Sequence, residues 1–424
     1  MTEFKFDRWL GLYASRVSQM RSSAIRDILA VTARPDVISF AGGLPDTRVF
    51  PAHQIVEATQ RVMLREGPEA LQYGASEGHE PLRRRITEIM AEIGIEVSVD
   101  DLIITDGAQQ ALELLGKIFI GKGDTIIVEA PSYSGALQAF SGYEPNIVAV
   151  PLDDQGIRID LLIEKLEELS KAGIQPKFLY TVPNFHNPVG ITLSEDRRQQ
   201  LIGLSYKYGF LIIEDDPYGR LRFDGEDKTA LRAIDENVIY LGTFSKIFAP
   251  GMRLGWVIAP KAILEKIILA KQAANLCSSS FSQRITEEYM SIFDWRQNIS
   301  MLIDLYRERR DAMLSALEKF FPEGSTWTRP NGGLFIWANL PDGLDATVML
   351  AEAIREVKVA YVPGAGFYTD GGGISSLRLN FSYCEPEVIN EGIKRLGSVI
   401  KKQLSLYRSL VVAYPSEDQQ KGEK

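Results

Sequence analysis

The residues whose side chains are best suited to catalysis lie between 243 and 256, where the chain reads TFSKIFAPGMRLGW. Lys246 supplies a primary amine, Thr243 and Ser245 supply hydroxyl groups before it, and Arg253 supplies a guanidinium after it. An amine condenses with an aldehyde to form an imine, while hydroxyl and guanidinium groups bind a phosphate dianion. Intervening glycine and proline residues allow tight backbone turns. This set suits a cofactor that carries both an aldehyde and a phosphate, namely pyridoxal 5'-phosphate.

A second candidate anion site follows the apolar run Leu102–Thr105, which the sequence predicts to be a strand. Gly107 comes next, and helical spacing begins at Ala108 and Gln109. The first N–H groups of a helix have no partner within the helix, so they bind anions readily. We therefore predict that Gly107, Ala108 and Gln109 contact the phosphate, although an ordinary strand-to-helix turn has the same pattern.

Three acids, Glu214, Asp215 and Asp216, follow the apolar run 210–213. A carboxylate beside the nitrogen of a pyridine ring raises the pKa of that nitrogen and keeps the ring cationic. A cationic ring is a strong electron sink, which the chemistry of this cofactor needs. Acids before a proline also commonly cap a turn, so the residues alone leave both roles open.

The elements that would carry these groups alternate between strand and helix from about residue 100. Apolar strands separated by helices predict a mostly parallel sheet that is buried on both faces and binds its ligand at the carboxyl ends of its strands. After a long predicted helix over 296–320, the pattern predicts a smaller second sheet. The predicted strands of the first sheet are Leu102–Thr105, Thr125–Glu129, Phe178–Val182, Phe210–Glu214, Val238–Gly242 and Leu254–Ala259.

The composition of the chain disfavours several classes of protein, namely those that bind nucleic acids, membranes or metals. The chain has 424 residues, of which 45% are hydrophobic and 24% charged, enough for two domains with a large core. A net charge of −9 argues against a nucleic-acid partner. The absence of a long apolar run or a signal-peptide core predicts a cytoplasmic protein without a membrane partner. Two cysteines and three dispersed histidines show no ligand spacing, so we predict no metal.

Several stretches together resemble the class I and II aminotransferases, which are fold-type I pyridoxal-phosphate enzymes. The stretch around Lys246 is similar to the pattern T-x-S-K followed by P-G-x-R-x-G. The turn after Thr105 is similar to G-[ST]-Q-Q-A, but Ala108 lacks the usual hydroxyl and can bind only through its backbone. Further matches are E-x-P-x-Y at 129–133, P-N-x-x-N-P-x-G at 183–190 and [LM]-R-[LV]-x-[FY]-[SA] at 377–382. The runs FAGGLP at 40–45 and EDDPY at 214–218 resemble the subgroup of 2-aminoadipate and kynurenine aminotransferases.

The resemblance implies roles for the residues around the cofactor ring. Asp215 would pair with the ring nitrogen, which leaves Asp216 as a turn residue. Asn187 would bind the phenolic oxygen of the ring, with Tyr218 as its partner. Tyr133 would stack on the face of the ring.

The resemblance also implies how the substrate is held. Lys246 would carry the cofactor as an imine and then act as general base on the substrate. Arg378 would bind the substrate α-carboxylate, with Asn187 nearby. Gly42 and its neighbour Gly43 would let the N-terminal segment close over the substrate.

The fold that the resemblance implies is that of aspartate aminotransferase, an α/β fold whose large domain has a mostly parallel sheet flanked by helices, with a smaller α/β domain beside it. We place an N-terminal segment at 1–47, which contributes to the small domain and covers the site. The large cofactor-binding domain would span 48–295 and the small C-terminal domain 296–412, with a disordered tail at 413–424. Tyr73 would reach the cofactor phosphate of a neighbouring subunit, so we expect a homodimer with shared active sites.

The implied reaction is transamination between an L-amino acid and a 2-oxo acid, with 2-oxoglutarate as the expected acceptor. The donor side chain would be aromatic, branched or similar to 2-aminoadipate. A second hypothesis keeps the cofactor and changes the reaction to β-elimination, decarboxylation or cyclisation. A third is a regulatory module, since some transcription regulators carry an aminotransferase-like domain behind a basic DNA-binding domain. Only about forty residues of mixed charge precede the FAGGLP run, which disfavours the third hypothesis.

The sequence leaves the preferred donor open. A second carboxylate on the substrate needs a further cation, or a mobile loop that supplies one. Arg16, Arg21 and Arg26 lie in the predicted N-terminal helix near 17–32, although ordinary exposed arginines fit there equally well. His186 matches no ligand position, so we predict a solvated or packed loop histidine.

Overall fold

The computed structural model describes residues 7–19 and 34–413. A large sheet, a smaller sheet and a two-stranded pair form its frame, and helices cover the large sheet. In chain order the strands are β1 (Ile38–Ser39), β2 (Leu102–Thr105), β3 (Thr125–Ala130), β4 (Asn146–Asp153), β5 (Gly156–Ile157), β6 (Phe178–Thr181), β7 (Leu211–Asp215), β8 (Ile239–Thr243), β9 (Gly255–Ile258), β10 (Thr326–Trp327), β11 (Phe335–Asn339), β12 (Val359–Ala360), β13 (Val362–Pro363) and β14 (Ser376–Asn380). The α-helices are α1 (Ala52–Ala70), α2 (Glu80–Ala91), α3 (Ala108–Phe119), α4 (Ser134–Ser141), α5 (Ile159–Lys171), α6 (Glu195–Tyr208), α7 (Leu231–Ile234), α8 (Lys261–Asn275), α9 (Ser280–Ile292), α10 (Trp295–Phe320), α11 (Ala346–Glu352) and α12 (Pro386–Ala413).

The large sheet has the strand order β2-β9-β8-β7-β6-β3-β4-β5. Strands β8, β7, β6, β3 and β4 run parallel, whereas β9 runs antiparallel to both of its neighbours. Because β2 therefore points the same way as the parallel strands, the carboxyl ends of β2, β3, β6, β7 and β8 lie at one edge. The mostly parallel sheet expected from the sequence is confirmed.

Neighbouring residues along the central strands face opposite sides of the sheet, as the two-residue period of a strand requires. Leu179 and Ile212 pack into the core that α5 and α6 complete. Tyr180 and Ile213 face the other side and pack into the core that includes α3 and α4. Both faces are covered, which explains why these strands are apolar along their whole length.

The smaller sheet is antiparallel, with the order β10-β11-β14-β13. Strand β1 of the N-terminal segment pairs in parallel with β12. The Asn380 N–H of β14 also donates to the Phe40 carbonyl over 2.9 Å, so this segment is docked on the second sheet. The predicted α/β class is confirmed, and α10 begins at Trp295, beside the predicted boundary at 295. The boundaries at 47, 295 and 412 themselves stay predictions.

Some elements differ from the sequence-based expectation. Strand β4 was not predicted, because Pro151 interrupts a run whose side chains are largely half-buried or exposed. The helix predicted near 17–32 and the predicted tail at 413–424 lie almost wholly outside the described residues. Within the described ranges, no helix is long and apolar enough to span a membrane, and no group of three or more His, Cys, Asp or Glu side chains could hold a metal ion.

Candidate active site

The carboxyl ends of the strands named above open into one cavity of about 610 Å³. Loops of the large sheet form most of its wall, and Gly43 of the N-terminal segment and Phe335 of the smaller sheet complete it. The residues predicted from sequence that line this cavity are Gly107, Ala108, Gln109, Tyr133, Asn187, Asp215, Tyr218, Thr243, Ser245, Lys246, Arg253 and Arg378.

Lys246 lies three residues beyond the end of β8 and is half-buried. Its Nζ donates a hydrogen bond of 2.6 Å to the Gly43 carbonyl. Burial, together with the nearby cations Arg378 and Arg253, lowers the pKa of this amine to about 8. A substantial fraction of the amine is therefore neutral slightly above neutral pH, and the neutral amine is the nucleophilic form.

The anion-binding end of the cavity begins with a turn that favours glycine. Gly107 has a φ of +85°, and a Cβ at this position would lie only 3.0 Å from Arg253 Nη2. Helix α3 starts at Ala108 without a side-chain cap, which leaves the first N–H groups of the helix, including that of Gln109, available to an anion. Arg253 is held beside them because its Nη2 donates to the Asp106 carbonyl over 2.9 Å.

The two hydroxyl groups before Lys246 have different surroundings. The Thr243 hydroxyl oxygen lies 3.0 Å from the Ser245 hydroxyl and 3.2 Å from the Leu254 carbonyl, and it accepts the Ser245 N–H over 3.1 Å. Thr243 therefore shapes the loop that carries the amine. Ser245 has the hydroxyl with fewer partners among the described residues, and we expect it to be the better phosphate donor.

Asp215 ends β7 and is only 3% exposed. Its Oδ2 accepts a hydrogen bond of 2.7 Å from the Tyr180 hydroxyl, while Oδ1 has no partner among the described residues. Burial raises the pKa of the Asp215 carboxyl to about 7, against the opposing effect of the Tyr180 hydrogen bond. A cation beside Oδ1 would reverse this shift, because it would stabilise the carboxylate.

Asp216 faces away from this cavity and lines a different one. Its Oδ1 accepts the Gly219 N–H over 2.9 Å, and the Tyr240 hydroxyl donates to its Oδ2 over 3.3 Å. This arrangement closes the turn that follows β7. The structure therefore places the two adjacent acids in different surroundings.

Three polar side chains on the cavity wall are joined to one another. Asn187 Nδ2 donates to the Tyr218 hydroxyl over 3.4 Å, and Asn187 Oδ1 accepts from Arg378 Nη1 over 2.9 Å. The half-buried Tyr133 ring lies on the same wall, and its hydroxyl donates to Gln109 Oε1 over 3.3 Å. Burial raises the pKa of Tyr133 to about 12, so its hydroxyl remains protonated at neutral pH.

Arg378 on β14 is 2% exposed, although it carries a charge. Its Nη2 donates to the Ala41 carbonyl over 2.8 Å, and its Nε has no partner among the described residues. The guanidinium carbon lies 4.2 Å from the centre of the Phe335 ring and 5.2 Å from that of Phe367. Burial lowers its pKa to about 10, so the group stays cationic at neutral pH. A buried cation of this kind suits a carboxylate ligand.

Other residues named from the sequence do not line the cavity. Tyr73 follows α1 and is 78% exposed, so it does not contact the site of its own chain. Gly42 is half-buried in the N-terminal segment and is not itself on the wall. Arg16 is exposed, and Arg21 and Arg26 lie outside the described residues.

Sequence reasoning missed a buried pair behind the wall. His186 Nε2 lies 3.0 Å from Glu129 Oε2, and both side chains are about 2% exposed. Glu129 also accepts the Thr181 hydroxyl over 2.7 Å and the Val182 N–H over 3.0 Å. His186 is thus a packed loop histidine that connects the Asn187 loop to the ends of β3 and β6. The detectable signal was an acid at the end of an apolar strand, where burial demands a partner.

Comparison with known sequences decides the family, because residues 35–396 match the profile of aminotransferase class I and II. The chain belongs to this family. Aromatic-amino-acid aminotransferase 1 of Thermococcus litoralis is similar to this aminotransferase, with 47% identity over 395 residues that cover 92% of this chain and 94% of that protein.

Solved structures agree with this assignment. The kynurenine aminotransferase of Pyrococcus horikoshii, solved in complex with PMP, has 44% identity and a TM-score of 0.90, covering 94% of this chain and 98% of that one. The α-aminoadipate aminotransferase LysN of Thermus thermophilus, complexed with N-(5'-phosphopyridoxyl)-L-leucine, has 36% identity and a TM-score of 0.87, covering 94% and 99%. The aspartate aminotransferase-like fold and an aminotransferase that uses pyridoxal phosphate are thereby confirmed, and the regulatory-module hypothesis is discarded.

The cavity of this aminotransferase fits its cofactor. The uncapped N–H groups at the start of α3 and the Arg253 guanidinium lie together and could hold a phosphate, and a Cβ at Gly107 would crowd that guanidinium. The unpartnered Asp215 Oδ1 is a buried acceptor that a protonated ring nitrogen would satisfy. The amine of Lys246 lines the same cavity.

Proposed function

We propose that this aminotransferase transfers the amino group of an aromatic L-amino acid to 2-oxoglutarate. One observation carries the proposal: a single cavity brings together the Lys246 amine, the unpartnered oxygen of Asp215 and the buried guanidinium of Arg378. When bound, pyridoxal phosphate supplies an aldehyde that takes up the amino group and a ring that delocalises the electrons left on Cα.

The side chains of the cavity would divide the remaining work. Lys246, whose pKa of about 8 suits a base near neutral pH, would remove the proton from the substrate Cα and later donate it. Asp215 would keep the ring nitrogen protonated. Arg378 would bind the α-carboxylate, with Asn187 holding one of its nitrogens in place.

The rest of the wall supports an aromatic donor. When the residues with cofactor or carboxylate roles are set aside, no charged side chain remains on the wall. The remaining residues are Gly43, Leu44, Ser134, Gly135, Gln138, Val182, Pro217, Pro250 and Phe335. Of the described cations on the wall, Arg253 and Arg378 have proposed partners in the phosphate and the α-carboxylate. The Thermococcus litoralis relative is named for aromatic amino acids, which agrees with this choice.

The proposed acceptor needs one more cation, because 2-oxoglutarate has a second carboxylate. The N-terminal arginines Arg21 and Arg26 stay sequence-based candidates for it. Replacing with Gln the one that binds this carboxylate should raise the KM for 2-oxoglutarate at least about tenfold, but leave the KM for an aromatic 2-oxo acid unchanged. Equal effects on both acceptors would exclude a role in reading the second carboxylate.

The decisive experiment compares amino donors at a fixed concentration of 2-oxoglutarate and measures glutamate. Phenylalanine, tyrosine, tryptophan and kynurenine should give the highest kcat/KM, above leucine and 2-aminoadipate. A higher value for leucine or 2-aminoadipate would overturn the aromatic preference. Release of ammonia or carbon dioxide without glutamate would show that the alternative, another pyridoxal-phosphate reaction, is correct.

A further inference from the structure

We infer that Tyr180 is a positioning residue for the cofactor ring, acting through Asp215 on the ring nitrogen. This inference rests on the proposed role of Asp215. The Tyr180 hydroxyl donates to Asp215 Oδ2 over 2.7 Å, while Oδ1 of the same carboxyl has no partner among the described residues and belongs to the cavity wall. One oxygen is thus committed to the protein and the other is left for a ligand.

The Tyr180 side chain is rigidly placed. It projects from β6, whose neighbour β7 carries Asp215 at its end, and it is fully buried. The Phe140 ring of α4 packs edge-on against it, with ring centres 5.7 Å apart. Burial and the negative charge of Asp215 raise the pKa of Tyr180 well above its ordinary value, so its hydroxyl keeps the proton that it donates.

This geometry gives Tyr180 two effects on Asp215. The hydrogen bond fixes the rotation of the carboxyl, so that Oδ1 keeps a constant direction into the cavity. It also stabilises the carboxylate form, because a donor to the charged state lowers the pKa of an acid. Both effects favour a ring nitrogen that holds its proton, and neither requires Tyr180 to contact the cofactor.

The test measures the affinity of the cofactor-free enzyme for two compounds. One is pyridoxal phosphate, and the other is its carbocyclic analogue, in which C–H replaces the ring nitrogen. In Tyr180→Phe, the Kd for pyridoxal phosphate should rise about tenfold or more, as expected when a hydrogen bond to a charged group is lost. The Kd for the analogue should stay within about twofold of wild type, since the analogue offers Asp215 no donor.

Tyr240→Phe is the matched control. Tyr240 is a buried tyrosine whose hydroxyl donates to the adjacent acid, Asp216, which lies away from the cavity. This variant should change neither affinity. In the holoenzyme, the ¹⁵N shift of a labelled ring nitrogen should move toward the unprotonated value in Tyr180→Phe and remain unchanged in Tyr240→Phe.

Three outcomes would overturn the inference. Equal losses of affinity for both compounds in Tyr180→Phe would mean that Tyr180 supports only the shape of the cavity. Unchanged affinities together with an unchanged ¹⁵N shift would mean that it has no positioning role. Equal affinity of the wild-type enzyme for the two compounds would remove the proposed role of Asp215 itself, and would leave the proposed donor and acceptor to their own test.

Discussion

Two charged side chains of this cavity form hydrogen bonds to the protein with some of their polar atoms and leave another polar atom for a ligand. Asp215 gives one oxygen to Tyr180 and keeps the other for the cavity, and Arg378 gives two nitrogens to Asn187 and Ala41 while its Nε has no partner among the described residues. Such side chains are already oriented before a ligand binds, so binding requires little reorganisation. Substitutions at these positions should therefore alter specific steps and leave the fold intact.

The first prediction concerns the pH dependence of cofactor capture by Lys246. The rate at which cofactor-free enzyme attaches pyridoxal phosphate should rise with pH and level off above about 8, where the amine is neutral. Arg378→Gln removes a neighbouring cation, which raises the pKa of Lys246 and shifts this curve to higher pH. Stopped-flow absorbance measures the rate, and borohydride reduction should label Lys246 but give no label in Lys246→Ala. A label on another lysine would contradict the assignment.

The second prediction separates the two adjacent acids. Asp215→Asn should lower kcat roughly 100- to 1000-fold, because a neutral partner cannot keep the ring nitrogen protonated. Asp216→Asn should cost less than about tenfold, since Asp216 accepts hydrogen bonds from the turn and from Tyr240 outside the cavity. Steady-state kinetics on both variants, with circular dichroism to confirm folding, provides the comparison. The opposite ranking would show that the carboxylate is assigned one residue off.

The third prediction tests Arg378 against substrate chemistry. Arg378→Lys keeps the charge but loses the planar fork, and should lower kcat/KM about 30- to 1000-fold for every amino acid donor. A simple amine without an α-carboxylate should be almost unaffected. Both are measured at the same 2-oxo acid concentration. An equal loss for the amine would mean that Arg378 supports the fold or the cofactor.

The site residues that could be predicted from the sequence are those whose type is fixed by a chemical group of the cofactor. A phosphate needs glycine and a guanidinium, and an aldehyde needs an amine, so Gly107, Arg253 and Lys246 could be named from types and spacing. The roles of Tyr180 and Glu129 could not be predicted, because the sequence of a strand does not show which polar side chain will lie beside each of its residues in the folded protein. Their partners lie 35 and 57 residues away, on other elements or loops.

At the scale of elements, a buried ion pair attaches the N-terminal segment to the rest of the chain. Asp46 in this segment is buried and accepts hydrogen bonds from Arg48 and from Arg309 of α10. Although burial opposes the shift, these hydrogen bonds lower the pKa of Asp46 to about 2. Arg309 also donates to the Ser382 carbonyl just beyond β14. The Asp46–Arg309 pair therefore joins the N-terminal segment, a long helix and the end of the smaller sheet.

The fourth prediction follows from this contact. Asp46→Asn should lower the free energy of unfolding by about 2–3 kcal/mol at pH 7, the value of a depressed pKa of this size. Since the folded-state pKa lies below the ordinary value, this contribution is complete above about pH 4 and is lost as pH falls toward about 2. Urea unfolding at several pH values measures it. Glu385→Gln is the control, because that partner is 42% exposed and should cost less than about 1 kcal/mol. A larger loss for Glu385→Gln would contradict the assignment to Asp46.

Elements were predicted well where both faces are buried and poorly elsewhere. Strand Leu102–Thr105 was predicted with its observed bounds, and the other five predicted strands of the large sheet differ by a residue at one or both ends. Strand β4 was missed because it contains Pro151 and is largely half-buried or exposed. Helices α8 and α9 were also missed.

The molecule as a whole is proposed to act as a homodimer. Leu64, Leu71 and Tyr73 form part of one chain segment and are 89%, 71% and 78% exposed. Exposed apolar residues of this size on a single chain commonly mark a contact surface. Tyr73 lies outside the cavity of its own chain, which agrees with the sequence-based prediction that it serves a neighbouring subunit.

The fifth prediction tests shared sites by mixing inactive subunits. Lys246→Ala and Tyr73→Ala homodimers should each be impaired, and the second should bind pyridoxal phosphate more weakly. Mixed dimers contain one site with both native residues, so activity at limiting cofactor should return to about a quarter of wild type after random exchange. Sedimentation should confirm the dimer. Activity equal to the mean of the two parents would show that each site is built from one chain.

The long sequence separations within the cavity have a consequence for how the enzyme matures. Lys246 contacts Gly43, which is 203 residues away, and Arg378 contacts Ala41, which is 337 residues away. Contacts between residues so far apart in sequence form late in folding, because the chain must first lose the conformational entropy of closing a long loop. A nascent chain therefore cannot form this pocket until residue 378 has left the ribosome. Attachment of the cofactor is thus a natural reporter of completed folding rather than a nucleus for it.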